Sequence, residues 1–447
     1  MHMLLRFTVQ NWMSFQNEAS LSLVASKEKQ HGQRVPSVEK YRTRVLPLAV
    51  VYGGNASGKT NLFKALSFIK NLVVRGTTQS STIPVEVFLL DPKSATEPAR
   101  FSLEILAEEK IYAYSFAVTR KAVLEEKLVE VLSSSEKVLY ERSGARIVFD
   151  KSLEKDQALQ FVFRGTRDNQ LFLTNSISQK VDRFRALYDW FEIHLQLVAP
   201  DSRFGRFERF LENGSPTLCA MRDALTRLDT GITNLDFEAV RLDDFGLPKE
   251  LLSDIDENLK EGNVALLMLR DPIALSRKEC ELIARKLVTF HSNSLGESVK
   301  FGMESESNGS RRVIDLLPAF LDLCVESSRK VYVIDELDRS LHTLLTRQLL
   351  NGYLSSCTQE SRAQLLFTTY DVLLMDQDLL RRDEIWTTER TEAGGTRLTP
   401  LSDFKDVRYD KDIRKSYLQG RLGGSPRVFF DGRNMHSGHE NDCKTGL

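Results

Sequence analysis

The chain opens with a period of two. Leu5, Phe7 and Val9 alternate with polar neighbours, which predicts a half-buried strand. Residues 11–15 turn the chain, 19–24 predict a returning strand, and the charged stretch 27–44 reads as a surface loop. Residues 48–52 are then an unbroken apolar run, the pattern of a strand buried on both faces. From 60 to 69 the apolar positions Leu62, Leu66 and Ile69 line one side of a helix that continues to about Val74.

After a polar stretch at 75–81, period two returns from Val85 to about Phe163. Phe101, Leu103 and Ile105 alternate, as do Tyr112, Tyr114, Phe116 and Val118, and 137–142 and 145–149 add short strands. This predicts an antiparallel β region whose aromatics form core rather than a platform for a purine ring. Residues 184–197 predict a helix with Trp190 and Phe191 inward. Residues 200–294 read as a charged, mostly helical insertion; its apolar positions sustain no heptads, and no repeat is visible. A helical run at 313–325 and buried strands at 331–334 and 364–369 follow.

Composition narrows the class. A chain of 447 residues with 41% apolar and 28% charged residues fits a soluble globular protein with ample core. Lys+Arg number 61 against 62 Asp+Glu, a net charge of -1, which excludes a global basic field for nucleic acid. The stretch 405–433 is locally basic (Arg408, Lys411, Arg414, Lys415, Arg421, Arg427), but Asp406, Asp410 and Asp412 interrupt it as on a solvated face. Five scattered cysteines without C-x-x-C spacing predict free thiols in a reducing compartment. The first residues lack a signal-peptide core and no run is apolar enough for a membrane, so a cytoplasmic protein without a membrane partner is expected. His436, His439 and Cys443 sit in a tail from about 426 that reads as disordered and inert.

The candidate chemistry begins where the apolar strand meets the helix. Gly53-Gly54-Asn55-Ala56-Ser57-Gly58-Lys59-Thr60 satisfies G-x-x-x-x-G-K-[ST] in full, and Asn61 follows. A strand, a glycine turn and a helix start aim backbone N–H groups and the helix dipole at an anion. Gly53, Asn55, Ala56, Ser57, Gly58, Lys59, Thr60 and Asn61 are therefore candidate ATP contacts. Lys59 is assigned to the terminal phosphates and Thr60 to Mg²⁺. The second half is Val331-Tyr332-Val333-Ile334-Asp335-Glu336, a buried strand ending in two acids. Asp335 is the candidate metal ligand and Glu336 the group that orients or deprotonates the attacking water.

This order resembles the ABC-type ATPase heads of SMC-like, repair and bacterial defence proteins. On that resemblance Ser307, Asn308 and Gly309 are the signature turn that closes on a nucleotide held by another copy, and Asp338 is the D-loop aspartate. Tyr370 stands where the family has a switch histidine, which implies slow hydrolysis. The implied fold class is α/β, an ABC-type (SMC-like) P-loop ATPase head with an antiparallel β subdomain and a helical insertion. Its parts are 1–199, the insertion 200–294, 295–425, and the tail 426–447.

Four stretches resemble one subgroup: Phe7-x-Val9-x-Asn11-x-x-Ser14-Phe15, the run from Asp335 to His342, Asp383-Glu384-Ile385-Trp386, and the run from Tyr417 to Pro426. That subgroup is the AAA-type, ABC-like ATPases of abortive-infection and anti-phage systems, including the ATPase subunits of PARIS defence systems. The resemblance implies ATP and Mg²⁺, a homo-oligomer (a dimer or an assembly of dimers), a separate effector of toprim-nuclease type and a phage-encoded trigger. The alternative is a DNA-repair or SMC/RecF-like DNA-processing ATPase, with DNA as partner. A built-in nuclease at Asp376-Gln377-Asp378 is disfavoured because too little chain follows, and no Asn-Lys-x-Asp stretch supports a GTPase.

Overall fold

A computed structural model describes residues 1–202, 216–245, 247–260, 264–269, 272–279, 281–404 and 412–425. The opening strand, His2–Gln10, lies inside a seven-stranded antiparallel sheet, between Ala19–Ser22 and Ala99–Ala107. The sheet continues through Lys110–Val118, Val123–Val131, Glu136–Ser143 and Arg146–Phe149. Phe7 faces Leu103 and Val9 faces Phe101 across the register, so the alternating apolar residues share one buried face. Phe101, Tyr114 and Phe116 are core. The β region stops before Phe163, because the Asp156 carboxylate accepts the N–H groups of Ala158 and Leu159 and caps the helix Gln157–Arg164.

The second sheet has six strands. Leu195–Val198, Val331–Ile334, Gln364–Thr369, Leu48–Gly53 and Ile385–Arg390 run parallel in that order, and Thr396–Pro400 closes the edge antiparallel. Leu48–Gly53 is buried throughout because both its faces are covered. Ala49 and Val51 enter a core shared with the helix Lys59–Val74 and the antiparallel sheet. Leu48, Val50 and Tyr52 enter a second core with the helices Asn308–Leu323 and Thr343–Ser356. The segment expected as one helix over 184–197 is helical only to His194. It then straightens into a strand that pairs Leu195 with Val331, while Trp190 and Phe191 are fully buried.

The 200–294 region differs from its expectation. Pro216–Leu225 and Lys249–Asn258 are α-helical, but Asn234–Val240, Val264–Met268, Pro272–Lys278, Glu281–Ser292 and Ser298–Gly302 form a five-stranded antiparallel sheet. The sheet is only partly covered. In Glu281–Ser292 the buried residues are Ala284, Leu287, Val288 and Thr289, so charged residues interrupt the period-two pattern. His436, His439, Cys443, Arg408, Lys411 and Arg427 lie outside the described residues. Arg414 and Lys415 lie on the helix Ile413–Leu418, capped by Asp412, whose carboxylate also pairs with Arg414 at 3.3 Å. Among the described residues no helix is long and apolar enough to cross a membrane.

Three of the four stretches that carried the subgroup resemblance are framework; the run from Asp335 to His342 belongs to the candidate site. Asn11 donates from Nδ2 to Ser94 O (2.8 Å) and Glu97 O (2.9 Å) and accepts from Phe88 N–H (3.2 Å), fixing the turn after the first strand. Asp383 accepts from Ser26 and pairs with Arg381 (2.7 Å), while Glu384 pairs with Arg34 at 2.6 Å, pinning the 26–34 loop beneath Ile385–Arg390. The Tyr417 hydroxyl donates to Gly424 O at 2.8 Å.

Candidate functional site

The strand Leu48–Gly53 ends where its neighbours come closest. A Cβ on Gly53 would run into the Thr388 and Ser57 side chains, with Thr388 O at 2.7 Å, and Gly58 has a φ of +105°. Both positions need glycine for these separate reasons. The loop is then tied down by its own chain. Gly54 N–H donates to Gly424 O at 2.9 Å, and Ser57 Oγ lies 2.7 Å from Thr388 Oγ1. Thr396 Oγ1 donates to Ser57 O (2.9 Å) and reaches Ser14 Oγ (2.7 Å). Asn61 Nδ2 donates to the same Ser14 Oγ at 2.8 Å, and Trp12 Nε1 donates to Asn61 O at 3.0 Å. The Ser57 and Asn61 side chains are thus committed to the framework. Asn55 and Ala56 are exposed and Thr60 is half-buried at the helix start.

Lys59 is nearly buried. Its Nζ donates to Gly53 O (2.7 Å) and Gly54 O (3.1 Å) and stands 3.5 Å from the centre of the Tyr370 ring, a cation–π contact. Burial pulls the Lys59 ammonium down to about 8, against the opposing pull of Asp335, Glu336 and Asp338. Those groups are brought together by the parallel sheet. Asp335 is fully buried; its Oδ1 accepts from Thr368 Oγ1 at 2.5 Å and its Oδ2 has no partner. The same hydroxyl accepts the backbone N–H of Glu336 at 2.8 Å, so Thr368 orients the Asp335 carboxylate and fixes the main chain at Glu336. Glu336 takes a left-handed φ of 49°, which turns the chain sharply after the strand. From the helix Asn308–Leu323, the buried Arg312 donates from Nη2 to Glu336 O at 3.3 Å and leaves Nε and Nη1 unmatched.

Tyr370 is 42% exposed, and burial followed by Glu336 and Asp335 pushes its hydroxyl up, so it stays protonated. Asp338 is half-buried beside Thr369, with Oδ1 unmatched and its carboxyl raised chiefly by burial. The 307–309 turn is placed differently. Ser307 caps the helix Asn308–Leu323, accepting Ser310 N–H at 3.0 Å, and Ser307 and Asn308 are exposed. A Cβ on Gly309 would stand 3.0 Å from Ser340 O of the same chain. Among the described residues no hydrogen bond joins this turn to the 53–61 loop. The structure therefore brings Lys59, Asp335, Glu336, Asp338 and Tyr370 together and turns Ser307 and Asn308 to solvent.

The unmatched, buried Asp335 Oδ2 and the Thr60 hydroxyl suit Mg²⁺, which takes few protein ligands and completes its octahedron with water and phosphate oxygens. Among the described residues, no group of three or more His, Cys, Asp or Glu could hold a metal unaided. A groove of about 1020 Å³ opens beside Ser14 and Asn61, with Met13, Val87, Leu89 and Arg120 among its walls. Sequence reasoning did not single out Thr368, Arg312, Thr388 or Thr396. Ser14 and Gly424 lay in the stretches of resemblance, which was the one signal available for them.

Residues 48–376 match a family model described as "AAA domain, putative AbiEii toxin, Type IV TA system". No curated protein matches the chain. Among solved structures the chain is similar to the SMC head domain from Thermotoga maritima, at 12% identity over 89% of this chain and 98% of that one, with a TM-score of 0.36. It is also similar to the SmcHead bound to the C-winged helix domain of ScpA, at 10% identity over 90% of this chain and 99% of that one, with a TM-score of 0.37.

Proposed function

The chain belongs to this AAA-domain family of P-loop proteins, and from that premise we propose that it binds ATP with Mg²⁺ and hydrolyses it slowly between two copies of itself. In each composite site one copy supplies Lys59, Thr60, Asp335 and Glu336, and the other supplies the turn of Ser307, Asn308 and Gly309. The observation that carries this reading is the split geometry: the first set converges within one chain, while Ser307 and Asn308 face solvent. Lys59 binds the terminal phosphate oxygens as an ammonium. The Glu336 carboxylate orients the attacking water and accepts its proton, and Thr368 holds the backbone N–H of that residue. The Mg²⁺ held by Thr60 and Asp335 would neutralise charge developing on the phosphates. The apolar groove at Ser14 and Asn61 offers walls for the adenosine end.

The terminal phosphate bridges two copies, so binding drives closure and hydrolysis reopens it. We infer that the cell uses this as a sensor and scaffold in antiviral defence. The closed assembly holds a separate toxic effector, of toprim-nuclease type as in PARIS systems, and releases it when a phage-encoded protein binds. The family description, with its toxin–antitoxin context, supports this role over DNA processing.

A complementation experiment tests the composite site. Lys59→Ala alone loses ATP binding, and Ser307→Arg alone keeps binding but loses ATP-dependent association and turnover. Mixed one to one, the two variants recover about a quarter of wild-type turnover, since half of the two-fold dimers are mixed and each mixed dimer has one intact site. A mixture as inactive as its parts would reject the two-copy site.

A further inference from the structure

Glu306 precedes the exposed Ser307 and points the other way. It is 6% exposed, and its Oε1 accepts from His291 Nε2 at 2.7 Å and from Thr289 Oγ1. A carboxylate only accepts, so His291 carries its proton on Nε2. Both partners belong to Glu281–Ser292, the central strand of the five-stranded sheet in the insertion. Thr289 is flanked by Leu235 on one side and Phe301 on the other, and the His291 ring packs edge-on against Phe301 at 4.9 Å. The donors are therefore held by the sheet itself. A carboxylate at this depth is disfavoured without hydrogen-bond donors, and both of these converge on Oε1, so the contact is specific. Its negative charge also lies just before the start of the helix Asn308–Leu323, where the helix dipole favours it.

We propose that Glu306 is a positioning residue: gripped by Thr289 and His291, it fixes the 307–309 turn, so the placement of the insertion sheet decides whether that turn can close on a nucleotide held by a second copy. The proposal rests on the composite-site reading given above. One peptide bond separates Glu306 from Ser307, so no slack intervenes between sheet and turn. The same helix then carries Arg312, which holds Glu336 O at 3.3 Å. A shift of the sheet thus reaches both the partner-facing turn and the backbone of the water-orienting acid through contiguous contacts.

The test uses the full chain and three readouts: the Kd for a fluorescent ATP analogue, ATP-dependent self-association by sedimentation, and ATP turnover. In Glu306→Ala, association and turnover fall about tenfold or more while Kd stays within about twofold, the split expected of a group that acts after nucleotide is bound. Glu306→Gln keeps an acceptor for the same donors and recovers most of the loss. His291→Ala weakens the grip from the sheet side and gives an intermediate loss, and it carries the test should Glu306→Ala not fold. If these variants raise Kd and lower turnover in step, or lower the melting temperature without touching turnover, Glu306 is merely structural and the inference falls. Ser307→Arg separates the two ideas. If it leaves association unchanged, the composite site itself is wrong. If it abolishes association while Glu306→Ala and His291→Ala behave as wild type, only the positioning role is lost.

Discussion

The phosphate loop is hydrogen-bonded by its own chain through Ser14, Thr388, Thr396 and Gly424, whereas the 307–309 turn exposes Ser307 and Asn308 and is anchored through Glu306. The loop is preorganised: its carbonyls, amides and lysine are set by strands that also build the core, so nucleotide binding need not reorder them. The turn is presented by a helix end, with the Ser340 carbonyl of its own chain 3.0 Å from where a Cβ on Gly309 would stand. On the two-copy reading proposed above, the fixed half would bind nucleotide in one copy and the reaction would wait for the presented half of a second. That division suits a protein that reports nucleotide state by assembling.

The largest effect expected on this contrast comes from Glu336→Gln. Removing the proton-accepting carboxylate lowers turnover by about 10²–10⁴-fold, the scale of general-base contributions, and leaves a closed assembly that retains ATP. Single-turnover kinetics and sedimentation check both halves of that expectation, and wild-type turnover would displace Glu336 from its role.

Next is Tyr370→His. It removes the ring over the Lys59 ammonium and supplies an imidazole, and turnover rises about tenfold; a cation–π contact of about 0.5–2 kcal/mol is released at the same time, which tightens ATP binding. Unchanged or lower turnover would remove Tyr370 from the switch position.

Thr396→Val addresses the fixed half. It preserves shape but leaves Ser57 O without its donor, and costs about 1–3 kcal/mol in chemical denaturation. ATP affinity should weaken in parallel, while the same loss of stability introduced near the 307–309 turn should not affect it.

The smallest effect is on pH. Burial lowers Lys59 to about 8 from 10.5, so the fold carries a penalty for the ammonium below about pH 8, relieved as pH rises toward 10.5. Affinity moves the opposite way. Only the ammonium binds phosphate well, so the Kd for ATP weakens above pH 8, by up to about tenfold per unit, and binding takes up protons there. Calorimetry in buffers of different ionisation enthalpy reads this uptake, and its absence above pH 8 would place the Lys59 pKa elsewhere.

Much of the site could be read along the chain because its chemistry is local. A phosphate loop needs a fixed spacing of glycines and lysine, and the two acids need only a buried strand before them. The buttress could not be read in the same way. Thr388, Thr396 and Thr368 are ordinary hydroxyls whose value comes from strand order, which sets Ile385–Arg390 and Gln364–Thr369 on either side of Leu48–Gly53. The insertion was misread for a related reason. Helix and strand differ in which residues are hidden, and in Glu281–Ser292 the hidden residues, Ala284, Leu287, Val288 and Thr289, do not alternate, so the period of two is masked.

The sequence alone determined the P-loop chemistry, the acidic strand and the antiparallel region, because each is written as spacing within a few consecutive residues. Tertiary structure decided what holds that chemistry in place: the hydroxyls behind the loop and the hydrogen bonds from the insertion sheet to Glu306. Those contacts join residues far apart in the chain, and only packing the sheets against one another brings them within hydrogen-bond reach.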